Sequence, residues 1–315
     1  MQPRPLGQSG LSIAPLMLGG NVFGWTADKS ASFRVLDAFV DAGFNAVDTA
    51  DCYSLWAPGN VGGESETIIG DWLRSRGRRN DVVIATKVGW ELAPDRKGLS
   101  ARWIRQAAEE SLRRLGIDCI DLYQSHVDDT TIPFEETLSA YQQLIEQGKV
   151  RAIGCSNISA VRLEEALAVS RRETLPRYES VQPKYNLYDR REVEADLKAV
   201  VESQGLGVIS FYGLAAGFLT GKYRSQDDLA KSPRGARAAG YLNTRGLKLL
   251  GVLDEVSAAV GATPAQVALA WIMAKPFITA PIASATSVEQ LNELVKAADL
   301  RLDPAAMAAL DAASA

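Results

Sequence analysis

The chain has 315 residues, 47% hydrophobic and 23% charged, with a formal net charge of -4. With both signs interspersed and no basic stripe, it lacks the surface that releases counterions from a phosphate backbone, so nucleic acid is excluded as a partner. The start, Met1-Gln2-Pro3-Arg4-Pro5, lacks the apolar stretch of a leader, and no apolar run of about 18 residues could span a bilayer, so a cytoplasmic protein without a membrane partner is expected.

Three cysteines, Cys52, Cys119 and Cys155, are odd in number, far apart and without CxxC spacing. They suggest neither a disulfide framework nor a thiolate zinc site and read as small reduced hydrophobes.

From the N-terminus, Arg4 to Pro15 holds Gln8-Ser9-Gly10 between two short extended pieces and reads as a hairpin placed before the main fold, where it could close the bottom of a barrel. Leu16–Leu18 is the first strand candidate. A helix over Ser30–Ala42 follows, with Ser30 as cap, Phe33, Leu36, Phe39 and Val40 turned inward, and Gly43 as stop. Strands are then expected at Asn45–Val47 and Val82–Thr86. Ser100 opens a second clear helix, carrying Ile104, Ala108, Leu112 and Leu115 at helical spacing and closed by Gly116. After the strand Leu122–Gln124, Pro133–Gln147 repeats the design, with Phe134, Leu138, Tyr141 and Ile145 inward.

Further strands are expected at Ala152–Cys155, Ser180–Gln182 and Gly207–Phe211. Lys222 to Arg245 is polar, rich in Gly and Arg and without periodicity; a loop of that length in a compact domain is usually functional, and it is read as a lid. Ile278–Pro281 is the eighth strand and Pro304–Ala313 the final helix. Eight short apolar strands alternating with helices predict a parallel sheet closed into a (β/α)8 TIM barrel, with an N-terminal hairpin and an extra C-terminal helix, residues 1–315 forming one domain.

In such barrels chemistry sits at the carboxyl ends of the strands. There the sequence places Asp48, Lys87 and His126, with Tyr53 in the loop after the second strand. A carbonyl that receives hydride needs a proton donor beside its oxygen, and Tyr53 can be that donor. A tyrosine titrates near 10, so a neighbouring ammonium, Lys87, is expected to pull it down, while Asp48 keeps that ammonium charged. His126, the only histidine, can orient the oxygen, and its solitude excludes a histidine-cluster metal site. Taken singly, each residue also has an ordinary structural reading: Asp48 a cap, Tyr53 a half-buried aromatic, Lys87 a solvated strand end, His126 a satisfied core histidine.

Joined in order, Asp48-Thr49-Ala50-Asp51-Cys52-Tyr53, Thr86-Lys87, and Leu115-Gly116-Ile117-Asp118 through Asp121-Leu122-Tyr123-Gln124-Ser125-His126 resemble the signatures of the aldo-keto reductase family. The likeness continues through Gly148–Asn157, Gln182-Pro183-Lys184-Tyr185-Asn186 and Gly217–Tyr223, nearly the whole chain. The resemblance implies an NADP(H)- or NAD(H)-dependent reduction of aldehydes or ketones without a metal. Tyr53 is then the general acid/base, Lys87 and Asp48 its tuning pair and His126 the orienting group. It also implies that Asn157, beside Ser156, and Gln182 hold the nicotinamide carboxamide, that Phe211 stacks on the ring, and that Leu214 and Gly217 belong to the turn around the pyrophosphate.

Where relatives that use NADP commonly place Lys or Arg against the 2′-phosphate, this chain has Ser284 and Gln290. A phosphate without a cation loses charge-assisted bonds of about 1.5–3 kcal/mol each, so NADH becomes a serious alternative unless Lys296 or a lid arginine reaches in. An ordinary helix start capped by Thr286 or Ser287 explains the same residues. Phe23, Trp25, Trp56 and Trp90 are expected to wall an open pocket for a carbonyl or alcohol substrate; rim packing is the competing reading for the tryptophans. Two rival functions are a nicotinamide-binding regulatory subunit, resembling the β-subunits of potassium channels, and a metal-dependent barrel hydrolase.

Overall fold

A computed structural model describes residues 2–315 of the chain. All eight expected strands form, and they close into a parallel barrel: β3 (Met17–Gly19), β4 (Ala46–Asp48), β5 (Val83–Val88), β6 (Ile120–Ser125), β7 (Val150–Ser156), β8 (Tyr178–Gln182), β9 (Gly207–Ser210) and β10 (Ala280–Ala283), with β10 pairing β3. Helices α1 (Lys29–Asp41), α2 (Glu64–Arg76), α3 (Ala101–Leu115), α4 (Phe134–Glu146), α5 (Ala160–Glu173) and α6 (Lys198–Gln204) follow the strands β3 to β8 in turn. After β9 come α7 (Thr244–Val260) and α8 (Pro264–Met273), then α9 (Val288–Val295) after β10, and α10 (Pro304–Ser314) closes the order.

Capping decided the helix starts. Ser100 accepts from Trp103 N at 3.3 Å, as expected, but α1 begins at Lys29 because the Asp28 carboxylate accepts from Ala31 N at 2.7 Å, displacing Ser30 from the cap. Pro133 stands at the cap of α4 rather than inside it. Among the described residues no single helix is long and apolar enough to cross a membrane; α7 and α8 together meet the length and composition but are bent by 92°.

The barrel interior follows the two-residue alternation of strands. Ala46, Ala85, Leu122 and Ala152 form an inward apolar layer with Met17, Ile209 and Ala280. One step of two residues further along the strands, the same inward face presents Asp48, Lys87, Gln124 and Gly154. Gly154 is required there: a Cβ would stand 2.4 Å from Ser180 Oγ and 3.3 Å from Gln124 Cγ. The outward residues, among them Val47, Ile84, Tyr123 and Ile153, pack in the larger core that also holds the buried helix faces.

Below the apolar layer lies the N-terminal hairpin, β1 (Arg4–Pro5) against β2 (Ser12–Ile13), with Leu6, Leu11 and Ile13 buried in the interior cluster. The hairpin is the floor of the barrel and fixes which end stays open. Ile13 is 0% exposed, so Ile13→Ala is expected to cost about 2–5 kcal/mol of stability, read by denaturant unfolding. A loss near zero would show the hairpin to be detachable.

Candidate active site

At the open end, Asp48 and Lys87 meet on neighbouring strands. Lys87 Nζ donates to Asp48 Oδ2 at 2.6 Å, to the Thr49 carbonyl at 2.8 Å and to the Tyr53 hydroxyl at 2.8 Å, which uses all three N–H bonds of an ammonium. Asp48 is equally occupied, since Oδ2 also accepts from Tyr53 at 3.2 Å while Oδ1 accepts from Gln182 Nε2 at 2.9 Å and Gln124 Nε2 at 3.4 Å. The ion pair is buried, with side chains 0% and 1% exposed. Removing one partner strands the other: Asp48→Ala is expected to lose about 3–5 kcal/mol of stability in denaturant titration, and Asp48→Leu combined with Lys87→Met to lose less.

Tyr53 reaches this pair from the loop after β4, its hydroxyl between Lys87 and Asp48. The expected fall in its pKa is not what the structure gives. Burial first, and then the Asp48 charge, hold the hydroxyl well above the ordinary tyrosine range, because a desolvated phenol donating to a carboxylate favours its neutral form. The phenol therefore carries its proton throughout the neutral range.

His126 follows β6 directly and lies beside Tyr53, ring centroids 6.0 Å apart. Burial, then the Lys87 charge, depress its pKa well below the usual value. The unfolded chain takes up this proton near pH 6.5 and the folded chain only at lower pH, so His126 makes the fold lose stability as pH falls below about 6.5. His126→Asn is expected to flatten that part of the stability–pH profile.

Above these residues opens a cleft of about 1210 Å³, lined by Asp48, Tyr53 and His126 as well as Ser156, Asn157, Gln182, Phe211, Leu214, Gly217, Ser284 and Gln290. Trp25, Trp56 and Trp90 line it too. Trp25 and Trp56 pack edge to face at 5.8 Å, and Trp90 sits 5.4 Å from the His126 ring. Phe23, expected in this wall, is 0% exposed in the core, because the chain turns inward there and bridges to Ala27.

Further lining comes from residues that periodicity does not flag. The stretch Lys222 to Arg245 folds over the cleft through two 3₁₀ turns, Asp227–Lys231 and Gly235–Tyr241, and brings Lys222, Arg234 and Arg237 to its edge. Lys296 is not among the lining residues; besides the lid cations only Lys184 lines the cleft among the described residues, and it is paired with Asp189 at 3.0 Å. Arg234 makes no ion pair among the described residues, its Nε is buried without a hydrogen-bond partner, and burial followed by the Arg237 charge lowers its pKa. Arg237 lies over Trp25 and Trp56, 5.7 and 5.6 Å from the ring centroids.

The turn after β9 is strained. Tyr212, Ala215 and Ala216 adopt φ of 63°, 48° and 57°, followed by Gly217 at 90°, and left-handed non-glycine residues cost about 1–3 kcal/mol each. Tyr212, Ala216 and Gly217 line the cleft, and the turn is closed on itself by Ala215 N donating to the Tyr212 carbonyl at 2.7 Å and Gly217 N to the Leu214 carbonyl at 2.8 Å.

A model of the aldo/keto reductase family matches residues 15–315. The chain belongs to the aldo/keto reductase family. It is 36% identical over 305 residues to an uncharacterized oxidoreductase, YrpG, of Bacillus subtilis, covering 95% of this chain and 91% of that one. A probable voltage-gated potassium channel subunit beta of Oryza sativa is 35% identical, over 95% of this chain and 92% of its own. Aldo-keto reductase yakc [NADP(+)] of Schizosaccharomyces pombe is 33% identical, over 89% and 81%. This aldo/keto reductase is accordingly an oxidoreductase, and its family uses NADP(H) or NAD(H).

The residues present fit that cofactor. Asn157 spends its amide hydrogens on the His126 carbonyl at 2.9 Å and Ser156 Oγ at 3.2 Å, and Gln182 spends its own on Asp48 and Gln124. Both side chains are left with acceptor oxygens at the cleft, which suits an amide NH₂. The unpaired Arg234 beside the strained turn suits a phosphate. Ser284 Oγ donates to Asn21 at 2.6 Å, and Gln290 Oε1 accepts from Thr286 N and Oγ1 at 3.0 Å each, while the Gln290 amide hydrogens have no partner among the described residues; Ser287 caps α9.

Proposed function

We propose that this aldo/keto reductase reversibly reduces an aldehyde or ketone to the alcohol, with Tyr53 as general acid/base. The observation that carries the reading is the Lys87 ammonium, which bonds the Asp48 carboxylate and the Tyr53 hydroxyl at 2.6 and 2.8 Å at the foot of a cleft. When bound, the reduced nicotinamide supplies hydride to the carbonyl carbon. Tyr53 gives its proton to the oxygen as charge develops there, and the Lys87 N–H then stabilises the phenolate left behind. Asp48, held by four donors, keeps Lys87 in place. Neutral His126 donates a hydrogen bond to the oxygen and orients it. In alcohol oxidation the proton moves the other way.

Asn157, Gln182, Ser156, Phe211, Leu214, Gly217, Ser284 and Gln290 would hold the cofactor, NADP(H) or NAD(H), with Arg234 on its phosphates. The indoles of Trp25, Trp56 and Trp90 favour an apolar or aromatic carbonyl. We read residues 1–315 as one reductase barrel acting in the cytoplasm.

Tyr53→Phe is expected to abolish nicotinamide oxidation with any carbonyl while cofactor binding, read by fluorescence quenching, stays within a factor of about three. Full turnover by that variant would sink the assignment. Arg234→Ala is expected to weaken NADH and NADPH alike, by tenfold or more, since one charge-assisted bond is worth about 1.5–3 kcal/mol. Unchanged affinities would remove Arg234 from the site.

The relatives named as channel β-subunits support a second reading, a nicotinamide-binding regulatory subunit. Tight cofactor binding without turnover across a panel of small and bulky carbonyls would favour it over the reductase.

A further inference from the structure

The site holds one polar contact that the proposed reaction has not used. Cys52 immediately precedes Tyr53, and its Sγ lies 3.6 Å from Nδ1 of His126, within reach of a sulfur hydrogen bond. Cys52 is a free thiol, 3% exposed, on the wall behind the imidazole. No other side chain among the described residues bonds the His126 ring.

A neutral imidazole carries one proton, and the partner of one nitrogen decides which nitrogen carries it. His126 is held neutral, as shown above. Burial, then the Asp51 charge, push the Cys52 thiol far up, so no thiolate is present to accept from Nδ1–H. The S–H has few other places to go. The nearby Asp51 carboxyl, with an oxygen within 4.8 Å of both groups, does not take it: neither oxygen has a hydrogen-bond partner among the described residues, and burial followed by the Glu66 charge holds its pKa well above the carboxylate range, so it is no charged acceptor. Nδ1 is therefore the acceptor that the packing offers the thiol.

We propose that Cys52 is a positioning residue: its thiol donates to Nδ1 of His126 and holds the imidazole in the tautomer that carries its proton on Nε2, the nitrogen left for the cleft. The opposite tautomer would turn a lone pair toward the substrate oxygen and repel the negative charge that develops on it. The assignment rests on the reading of His126 as the group that orients that oxygen. It gives position 52 a task that an aliphatic side chain of the same size cannot perform.

One histidine in 315 residues makes the test direct. In protein labelled with ¹⁵N-histidine, long-range ¹H–¹⁵N spectra at neutral pH report the two ring nitrogens of His126 alone. The expected result is a hydrogen-free Nδ1 and a protonated Nε2. Cys52→Val, close in volume, is expected to show Nδ1–H appearing beside Nε2–H, and Cys52→Ser to restore the single form. With a neutral aromatic aldehyde, Cys52→Val should lower kcat about three- to tenfold, the worth of one ordinary hydrogen bond, with cofactor affinity unchanged. A wild-type spectrum with the proton on Nδ1, or a Cys52→Val spectrum identical to wild type, overturns the proposal. The spectra need no turnover, so failure of the reductase reading would show as an inactive protein whose tautomer still answers the question.

Discussion

The buried pair of Lys87 and Asp48 is the interaction on which the site depends. Taking two charges out of water costs several kcal/mol per ion, and their attraction repays this only when the remaining donors and acceptors are satisfied. Here they are: the ammonium gives its three hydrogens to Asp48, the Thr49 carbonyl and Tyr53, and the carboxylate accepts from Lys87, Tyr53, Gln182 and Gln124. Four strands, β4, β5, β6 and β8, supply that set, so only a closed barrel can assemble it. The pair in turn fixes the phenol of Tyr53 and sets a positive charge near His126.

Around this fixed centre the mouth is built from different material. The floor is rigid because Leu6, Leu11 and Ile13 fill the barrel from below, whereas the rim is made of loops. The left-handed residues Tyr212, Ala215, Ala216 and Gly217 store strain, and the lid presents Arg234 and Arg237, neither paired with a carboxylate among the described residues. Strain and unpaired charge are both costly in a folded protein, and their coincidence at one cleft marks a surface shaped for an anionic ligand rather than for stability.

Much of the barrel was legible because strands buried on both faces and helices with one apolar stripe leave different periods in the chain. Asp48, Lys87 and His126 could be found as polar residues ending or following apolar runs, and Tyr53 by its motif. The boundaries were less legible. Asp48 and Lys87 lie inside their strands, not after them, since the inward face simply changes from apolar to polar two residues up. Phe23 showed the limit of reading a wall from aromatic content: a phenyl ring has no polar end to hold it at the rim, and it went to the core. A lid arginine was expected as a phosphate partner, but Arg234 could not be singled out, because one arginine in a polar loop looks like any solvated residue until the fold shows what it faces.

The sequence by itself determined the order of elements, the closed parallel sheet, the family and the candidate reactive groups, since alternation and motif spacing are local properties. The tertiary structure alone decided what those groups are. It made Tyr53 a firmly protonated phenol rather than one softened by Lys87, because burial and the Asp48 charge outweigh the ammonium. It brought the lid arginines, rather than Lys296, to the cleft, and it set the thiol of Cys52 against His126. Desolvation and distance across the barrel belong to no single stretch of chain, so neither could be read before the barrel closed.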